Sequence, residues 1–370
     1  MLIGVPRERK DGERRVGLVP DGVARLVASR HEVMIERGAG EKVGFDDSIY
    51  AAAGARVVDD PAAIFAAPLI VKVKELHSVE LPLLRPGTTV FGFAQLGRDR
   101  ALLDAVLAAR IRCIACESVA DAAGGFPILE PMSRISGRLA PLIAASLLMN
   151  DRGGSGVLLP GLDGVAPGRV VIVGAGSAGG EAAVVSSRLG CELTVFARSD
   201  RRFARLRERC GASARFALCD AGELAAAASQ SDVLIGAVLD PGRLSPRLIA
   251  RSMLRGMRRG SVFIDIGIDQ GGIAETSRLT TLSAPTYVEE GVVHYCVANM
   301  PALVARTATL ALTRATLGYV QALADRGVEA ALAADAGLRA GLQVFDGRLM
   351  HAGLAADAAL PLGECSNAKP

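Results

Sequence analysis

The stretch Arg169-Val-Val-Ile-Val-Gly174-Ala-Gly176-Ser-Ala-Gly179 decides the fold. Its apolar start is typical of a buried strand, and residues 181–189 are typical of a helix. GxGxxG is a weak signal by itself in a chain with 42 glycines. Between a strand and a helix it predicts a dinucleotide site, because Gly174 permits a tight turn, Gly176 lets backbone approach a pyrophosphate and Gly179 allows close helix–strand packing. The helix N-terminus would then face the negative charge.

Short apolar runs and helical stretches alternate on both sides of this unit, which predicts an α/β fold with two doubly wound parallel sheets. We predict a discontinuous substrate domain of residues 1–130 and 302–370, with an inserted Rossmann-type nucleotide domain of residues 131–301 and a linking helix at about 133–149. The predicted strands cover residues 2–5, 32–36, 69–73, 88–93, 111–115, 169–173, 192–196, 233–235 and 262–266, with another near Tyr287. The predicted helices outside the linker cover residues 20–28, 61–66, 98–109, 181–189, 303–325 and 327–334.

Composition and charge exclude several classes of protein. The 370 residues carry 42 basic and 39 acidic side chains, and a net charge of +3 gives no electrostatic footprint for nucleic acid. No apolar run approaches the roughly 20 residues that span a bilayer. The N-terminus has no signal-peptide pattern, so we expect a cytoplasmic protein without a membrane segment.

The seven cysteines are odd in number and irregularly spaced, which favours a reducing compartment over a disulfide framework. Cys113 and Cys116 have the spacing of a redox or metal motif but lie in the apolar run 111–119, which is typical of a strand, where positions three apart point to opposite faces. No second pair completes a zinc site. We therefore expect both to pack in the core, and we expect no metal.

The end of the strand after the glycine loop distinguishes NAD from NADP. An acidic residue there would bind the ribose 2′-hydroxyl, but the sequence has Ala197, then Arg198 and Ser199, with Arg202 close behind. An arginine fork fits a 2′-phosphate, and the missing carboxylate would have repelled it. These residues favour NADP(H) over NAD(H). The alternative is a solvated helix start, with Asp200 taking the acidic role by a shifted register.

Six further segments can be compared with a known family: Ile3-Gly-Val-Pro6-Arg-Glu8, Glu13-Arg-Arg15-Val-Gly-Leu-Val-Pro20, Val71-Lys-Val-Lys74-Glu75, Pro131-Met-Ser133, Ile264-Asp-Ile-Gly-Ile-Asp269-Gln-Gly-Gly272 and His294-Tyr-Cys-Val-Ala-Asn299-Met-Pro301. They resemble alanine dehydrogenase, of the family that also contains the NAD-binding domain of the proton-translocating transhydrogenase. The resemblance covers essentially the whole chain, and the last two segments are the most specific. It implies two domains, an active site in the cleft and a homo-oligomer, usually a hexamer, although a dimer stays open.

The resemblance also implies roles for single residues. Arg15 and Lys74 hold the substrate carboxylate, and Asp269 lies by the nicotinamide and the substrate nitrogen. Asn299 lies near the nicotinamide and substrate, whereas a loop-capping role is its structural alternative. Ser133 contacts the nucleotide, although it could equally be an N-cap of the linking helix. The expected nucleotide contacts are completed by Ser177, Ala178, Val238, Leu239 and Ile268.

One expected catalytic residue is replaced. The family has Phe-x-Phe-Leu-His-Leu, in which the His is the general acid/base, whereas this chain has Phe91-Gly-Phe-Ala-Gln95-Leu96. An amide hydrogen-bonds but does not titrate usefully, and losing an acid/base costs on the order of 10²–10⁴ in rate. Protons could move through Lys74, Asp269 or water, the substrate could be a preformed iminium, or activity could be lost. His77 is the nearest histidine to Lys74 and is a weak candidate for the missing group.

Arg134 stands where the family has an acid after Ser133, and it could receive a second acidic group on the substrate. A surface position on the helix is at least as plausible. The substrate is therefore expected to differ from simple pyruvate and alanine.

These observations predict an NADP(H)-dependent amino-acid dehydrogenase or imine reductase. It would act on a small 2-imino or 2-oxo carboxylate with ammonia or an amine, and Gln95 would orient the carbon–nitrogen group. One alternative is opine-type condensation of an amino acid with a 2-oxo acid. Another is a non-catalytic NADP(H)-binding protein.

Overall fold

The computed structural model describes residues 1–212, 214–238 and 245–363. The chain divides into unit 1, Met1–Met132 with Ala302–Pro370, and unit 2, Ser133–Pro301. The described strands are β1 (Leu2–Val5), β2 (Glu32–Glu36), β3 (Arg56–Val58), β4 (Leu69–Val71), β5 (Thr89–Gly92), β6 (Arg112–Ala115), β7 (Arg169–Val173), β8 (Glu192–Ala197), β9 (Ala214–Leu218), β10 (Val233–Gly236), β11 (Val262–Asp265), β12 (Thr286–Glu289), β13 (Val292–Tyr295), β14 (Leu342–Phe345) and β15 (Arg348–Leu349). The described α-helices are α1 (Pro20–Ala28), α2 (Asp47–Ala52), α3 (Pro61–Phe65), α4 (Arg100–Ala108), α5 (Leu129–Leu147), α6 (Ser177–Arg188), α7 (Phe203–Cys210), α8 (Ala221–Ser229), α9 (Arg251–Arg255), α10 (Ala305–Arg326), α11 (Val328–Ala334), α12 (Ala336–Ala340) and α13 (Ala352–Ala358).

Unit 1 has one sheet in the order β15-β14-β6-β5-β4-β1-β2-β3, and the strands from β6 to β3 are parallel. The predicted α/β class is confirmed, but an antiparallel hairpin, β14–β15, extends the β6 edge. Asp346 and Gly347 form its turn, with φ of 50° and 86°. Asp-Gly between apolar residues is a hairpin signal, so sequence reasoning could have found these strands.

Unit 2 has a second mixed sheet in the order β12-β13-β11-β10-β7-β8-β9, parallel except for the edge strand β12. The chain runs from β7 outward to β9 and then returns to β10 on the other side of β7. The strand order therefore reverses between β7 and β10, which is where a doubly wound sheet binds its ligand.

Alternate residues along β7 enter different cores, as the pleat of a strand requires. Val170 and Ile172 pack in one apolar cluster, and Val171 and Val173 pack in the cluster on the opposite face. Burial on both faces explains why the strand is continuously apolar rather than alternating.

Helix α5 begins at Leu129, four residues before the predicted start at 133. Pro131 is compatible with this start because the amide hydrogens of a first helical turn have no intrahelical partner anyway. Ser133 consequently lies inside the helix, so the N-cap alternative is wrong. The boundary between the two units falls within α5, after Met132.

Two structural features are absent from the described residues. No helix in residues 1–212, 214–238 and 245–363 is long and apolar enough to cross a membrane. The same ranges hold no group of three or more His, Cys, Asp or Glu that could bind a metal.

Cys113 and Cys116 are free thiols, each 2% exposed, and burial raises the pKa of both.

Candidate functional site

The glycine loop lies at the reversal point of the unit 2 sheet. Gly174 has φ of 113°, and a Cβ there would lie 2.3 Å from the carbonyl oxygen of Ala237, just after β10. A Cβ on Gly179 would lie 1.8 Å from the carbonyl oxygen of Gly174. Both positions therefore require glycine for contacts within the protein itself.

Gly176 differs from the other two glycines, because among the described residues a Cβ there would meet only the Nη1 atom of Arg202, at 3.9 Å. Gly176 is also the N-cap residue of α6, and as a glycine it has no side chain to cap the helix. The space in front of Gly176 is bounded by a helix N-terminus and a guanidinium, so its chemistry fits a pyrophosphate. This arrangement of Gly176, the α6 N-terminus and Arg202 is the feature that fits a dinucleotide.

Helix α5 contacts the start of α6 very closely. A Cβ on Gly137 would lie 2.1 Å from the carbonyl oxygen of Ala178. Ser133 is partly buried and precedes Gly137 by one helical turn, so both residues lie on the same face of α5. The fold thus places Ser133 on the α5 face that packs against the first turn of α6, which also contains Ser177.

Two arginines that form no ion pair with the described residues follow the end of β8. Ala197 ends the strand and is 7% exposed, and Arg198 and Ser199 follow it in an exposed loop. Neither Arg198 nor Arg202 forms an ion pair with any described residue. Asp200 is exposed, and its backbone carbonyl accepts from the amide of Phe203 at the start of α7. This loop can offer guanidinium and hydroxyl donors to an anion.

Arg134 belongs to an ion cluster inside unit 2. Its Nε lies 3.3 Å from Glu181 Oε1, and Arg138 and Arg209 bond the same carboxylate at 2.7 Å and 2.9 Å. Burial works against ionisation of Glu181, but Arg138 and Arg209 keep its pKa below the usual glutamate range. Half of the Arg134 side chain is exposed. Its role on a substrate stays a prediction.

Asp269 lies in the 3-10 turn Ile266–Gln270, which directly follows β11, and it is partly buried. The base of this turn is tied by Asp265, whose Oδ2 accepts from the Ile273 amide at 2.9 Å and from Ser277 Oγ at 2.5 Å. Burial raises the pKa of Asp265 despite these bonds. The turn carries Asp269 to the strand edge at which the glycine loop also lies.

The other residues predicted to contact the nucleotide are Val238, Leu239, Ile268 and Asn299. Val238 follows β10 and is partly buried, and Ile268 lies beside Asp269 and is 4% exposed. Asn299 is 6% exposed with φ of 73°, a left-handed conformation that asparagine tolerates better than most residues. Leu239 lies outside the described residues.

In unit 1, Arg15 is buried and forms a fork with Glu13. Its Nε and Nη2 donate to the two Glu13 carboxylate oxygens at 2.8 Å and 2.6 Å, and its Nη1 lies 3.2 Å from Met132 Sδ. The side chains are 2% and 0% exposed, so Glu13 fixes the plane of the guanidinium. Sequence reasoning assigned no role to Glu13.

Lys74 lies three residues beyond the end of β4, because the strand is shorter than predicted. It is 5% exposed, and its Nζ lies 6.0 Å from the centre of the Phe93 ring and 3.9 Å from Glu75 Oε2. Lys10 pairs with the other oxygen of Glu75. Burial opposes the ionisation of Glu75, but the two lysines hold its pKa below the usual value.

Gln95 has φ of 48° and ψ of 32°, a left-handed conformation that is uncommon for residues other than glycine. The Glu117 carboxylate holds this turn, accepting from the Gln95 amide at 2.7 Å and from the Ala94 amide at 3.2 Å. Burial raises the Glu117 pKa, and these two bonds and the charge of Lys74 counteract it. Gln95 Oε1 accepts from Arg98 at 3.4 Å. Lys74 and Gln95 thus share one electrostatic environment, because the Glu117 carboxylate interacts with both. His77 is exposed and has no described bond to either residue.

Two family models, Alanine dehydrogenase/PNT, N-terminal domain, and Alanine dehydrogenase/PNT, C-terminal domain, match residues 4–136 and 140–352. The chain belongs to the alanine dehydrogenase/PNT family. An alanine dehydrogenase of Halomonas elongata is 46% identical over 356 residues, 96% of each chain. One from Mycolicibacterium smegmatis is 42% identical over 367 residues, 99% of each chain. The predicted resemblance and the prediction of an oxidoreductase are confirmed.

Solved structures agree with this alanine dehydrogenase/PNT assignment. An L-alanine dehydrogenase matches with a TM-score of 0.92 and 41% identity, covering 96% of this chain and 99% of that one. A transhydrogenase from Sinorhizobium meliloti matches with a TM-score of 0.79 at 24% identity, which shows a shared fold. The two-domain α/β architecture is thereby confirmed.

Proposed function

We propose that this member of the alanine dehydrogenase/PNT family is an NADP(H)-dependent amino-acid dehydrogenase or imine reductase. The observation that supports this proposal concerns the end of β8. Ala197 takes the place of an acid there, and Arg198 and Arg202 have no acidic partner among the described residues. A carboxylate at this point would bind a ribose 2′-hydroxyl and repel a 2′-phosphate. Arginines and Ser199 offer the opposite preference.

The unit 2 geometry supports a set of proposed nucleotide contacts. The backbone at Gly176 and the amides of Ser177 and Ala178 meet the pyrophosphate at the start of α6. Arg202 reaches over Gly176 and can contact the same phosphates, while Arg198 and Ser199 contact the 2′-phosphate. NADPH, when bound, supplies the hydride.

On the substrate side, Arg15 and Lys74 anchor the carboxylate of a 2-imino or 2-oxo acid. Arg15 is preorganised by Glu13, so little side-chain entropy is lost when a carboxylate binds. Asp269 stabilises a positively charged iminium nitrogen, and Asn299 contacts substrate and nicotinamide. Gln95 orients the carbon–nitrogen group by hydrogen bonds. Rate acceleration then rests on positioning and electrostatics.

Gln95 cannot exchange a proton near neutral pH, so water, Lys74 or Asp269 carries protons to the substrate. This departure supports a substrate other than simple pyruvate and alanine, such as a preformed iminium or a bulkier 2-oxo acid. We also propose a homo-oligomer, a hexamer or a dimer, as an extension of the family resemblance.

The test is oxidation of NADPH, with NADH as the matched control, against a panel of 2-oxo acids. Each acid is supplied first with ammonia and then with amino-acid amines. Turnover with ammonia and a preference for NADPH are expected. Turnover only with an amino acid identifies an opine-type enzyme, and NADPH binding without any turnover identifies a non-catalytic binding protein. Equal use of NADH contradicts the assignment of Arg198 and Ser199.

A further inference from the structure

A short chain of charged side chains connects Lys74 to the solvent in unit 1. The Lys74 Nζ atom lies 3.9 Å from Glu75 Oε2, and the other carboxylate oxygen of Glu75 pairs with Lys10. Exposure increases along this chain, because the side chains of Lys74, Glu75 and Lys10 are 5%, 23% and 31% exposed. The chain therefore leads from the buried substrate site to the surface.

The two carboxylate oxygens of Glu75 have different surroundings. Oε1 accepts from the Lys10 ammonium group, whereas Oε2 is buried and accepts no hydrogen bond from any residue that the structure describes. The 3.9 Å between Oε2 and Lys74 Nζ exceeds a hydrogen bond, but one water molecule can bond to both atoms across it. A buried carboxylate oxygen needs such a donor, because leaving it unsatisfied is costly.

A small cavity adjoins the Lys74–Glu75 pair. Besides these two residues, it is lined mainly by apolar side chains, among them Leu76, Val90 and Phe93. Its volume of about 10 Å³ is at the lower limit for a single water molecule. The space beside the pair therefore suits one water and is too small for a substrate.

Other carboxylates near Lys74 have different tasks. The charge of Glu117 acts on Lys74, but both Glu117 oxygens accept from main-chain amides of the Gln95 turn. Glu8 accepts from the main-chain amides of Val73 and Lys74. Glu75 combines a contact to the Lys74 ammonium group with a partner that reaches solvent, and a proton route requires both features.

We propose that Glu75 relays protons from solvent to Lys74, which donates them to the substrate in place of the histidine that Gln95 replaces. In the amination of a 2-oxo acid, the Lys74 ammonium group gives one proton to the hydroxyl of the carbinolamine. The carbon–oxygen bond breaks, water leaves, and the nitrogen lone pair forms the double bond of the iminium. This inference rests on the proposed dehydrogenase function and on the proposed place of Lys74 at the substrate.

The neutral Lys74 amine then recovers a proton along the same chain. The Glu75 carboxylate takes one proton from solvent and passes it from Oε2 to the bridging water, which gives a proton to Lys74 Nζ. Lys10 holds Oε1, so Oε2 stays beside Lys74. Each cycle moves one proton from solvent to the departing hydroxyl and returns Lys74 and Glu75 to their starting charges.

The variant Glu75→Gln keeps the size of the side chain but cannot relay a proton, because an amide does not titrate usefully. With NADPH, ammonia and the best 2-oxo acid of the panel, kcat should fall by about 10²-fold. KM for the 2-oxo acid should stay within a few-fold, because Arg15 and Lys74 remain. The solvent deuterium isotope effect on kcat should increase as proton transfer becomes rate-limiting, and Glu75→Asp should recover part of the rate.

Two controls separate a relay from a structural role. Glu36→Gln is the matched variant, because Glu36 is also buried and pairs with Arg9, the sequence neighbour of Lys10. It should leave kcat and the isotope effect unchanged. The second control is NADPH reduction of a cyclic imine carboxylate, which already has its carbon–nitrogen double bond and should be slowed little in Glu75→Gln. Equal losses in both reactions would overturn the relay.

A crystal structure of the unmodified protein gives a readout that does not depend on turnover. We expect an ordered water within hydrogen-bond distance of both Lys74 Nζ and Glu75 Oε2. Density that shows neither this water nor a direct hydrogen bond between the two atoms overturns the relay, also where the variants do not fold. An unchanged kcat in Glu75→Gln overturns it while leaving the dehydrogenase assignment intact. If the wild type aminates no 2-oxo acid, the proposed function itself fails, and the relay fails with it.

Discussion

Replacing Ala197 with aspartate would place a carboxylate at the end of β8, where the sequence lacks one. The new side chain would face the 2′-position of a bound nucleotide, beside the exposed Arg198 and Ser199. It would repel the 2′-phosphate of NADPH and accept a hydrogen bond from the 2′-hydroxyl of NADH. Ala197→Asp should therefore reverse the preference between the two nucleotides.

The size of the effect follows from the burial of this position. Two unit charges 4 Å apart interact by about 1 kcal/mol in bulk water and about 4 kcal/mol at an effective dielectric constant of 20. Ala197 is 7% exposed at the rim of the sheet, so its surroundings lie between these limits. Arg198 offsets part of the repulsion. A net change of about 2 kcal/mol corresponds to a change of about 30-fold in the ratio of the two dissociation constants.

The assay is the fluorescence of NADPH and NADH titrated with wild type, Ala197→Asp and Ala197→Ser. The serine variant is the matched control, because it adds a polar atom of similar size without charge, and it should change the ratio by less than about threefold. An unchanged ratio in Ala197→Asp would refute the reasoning, because it would mean that the 2′-position lies elsewhere. If the same site serves catalysis, the preference for NADPH over NADH in kcat/KM must also fall in Ala197→Asp.

Three other outcomes are expected. Gly179→Ala should abolish nucleotide binding or lower the melting temperature of the protein, since its Cβ would lie 1.8 Å from a backbone oxygen. Gly180→Ala should be tolerated, because the nearest atom to its Cβ would be the flexible Leu206 tip at 3.2 Å and the backbone oxygen of Ala175 would lie at 4.0 Å. Gln95→His should raise kcat by about 10²–10⁴-fold and make kcat depend on pH near the ordinary histidine pKa. An unchanged kcat would show that this position plays no part in proton transfer. Asp269→Asn should lower kcat by at least about 10²-fold while leaving the NADPH dissociation constant within a few-fold, and equal losses in both would assign Asp269 to nucleotide binding alone.

Local sequence was sufficient for the central strands and the glycine loop. Residues 2–5, 20–28 and 32–36 form the predicted elements with the predicted bounds. Their patterns are strong because each strand is buried on both faces or each helix has one apolar face. Short elements such as β3, β9 and α12 were not predicted, because a run of three to five residues has no reliable hydrophobic period.

The candidate site shows the same division. The types of residue at Gly174, Gly176, Gly179 and Ala197 reveal their chemistry, since backbone approach and charge are properties of a residue and its neighbours in sequence. The acids that support the site were not predicted, because the sequence neighbours of a glutamate do not show whether folding will bury it beside a partner. Glu8, Glu13 and Glu117 acquire their tasks from partners brought by folding.

The sequence by itself determined the α/β class, the dinucleotide loop and the absence of an acid at Ala197, because these depend on local periodicity and residue identity. Only the tertiary structure decided which carboxylates hold Arg15, Lys74 and the Gln95 turn, and that Arg134 pairs with Glu181. The physical reason is that burial and charge pairing are set by neighbours distant in sequence. The identity of a single residue does not reveal those neighbours.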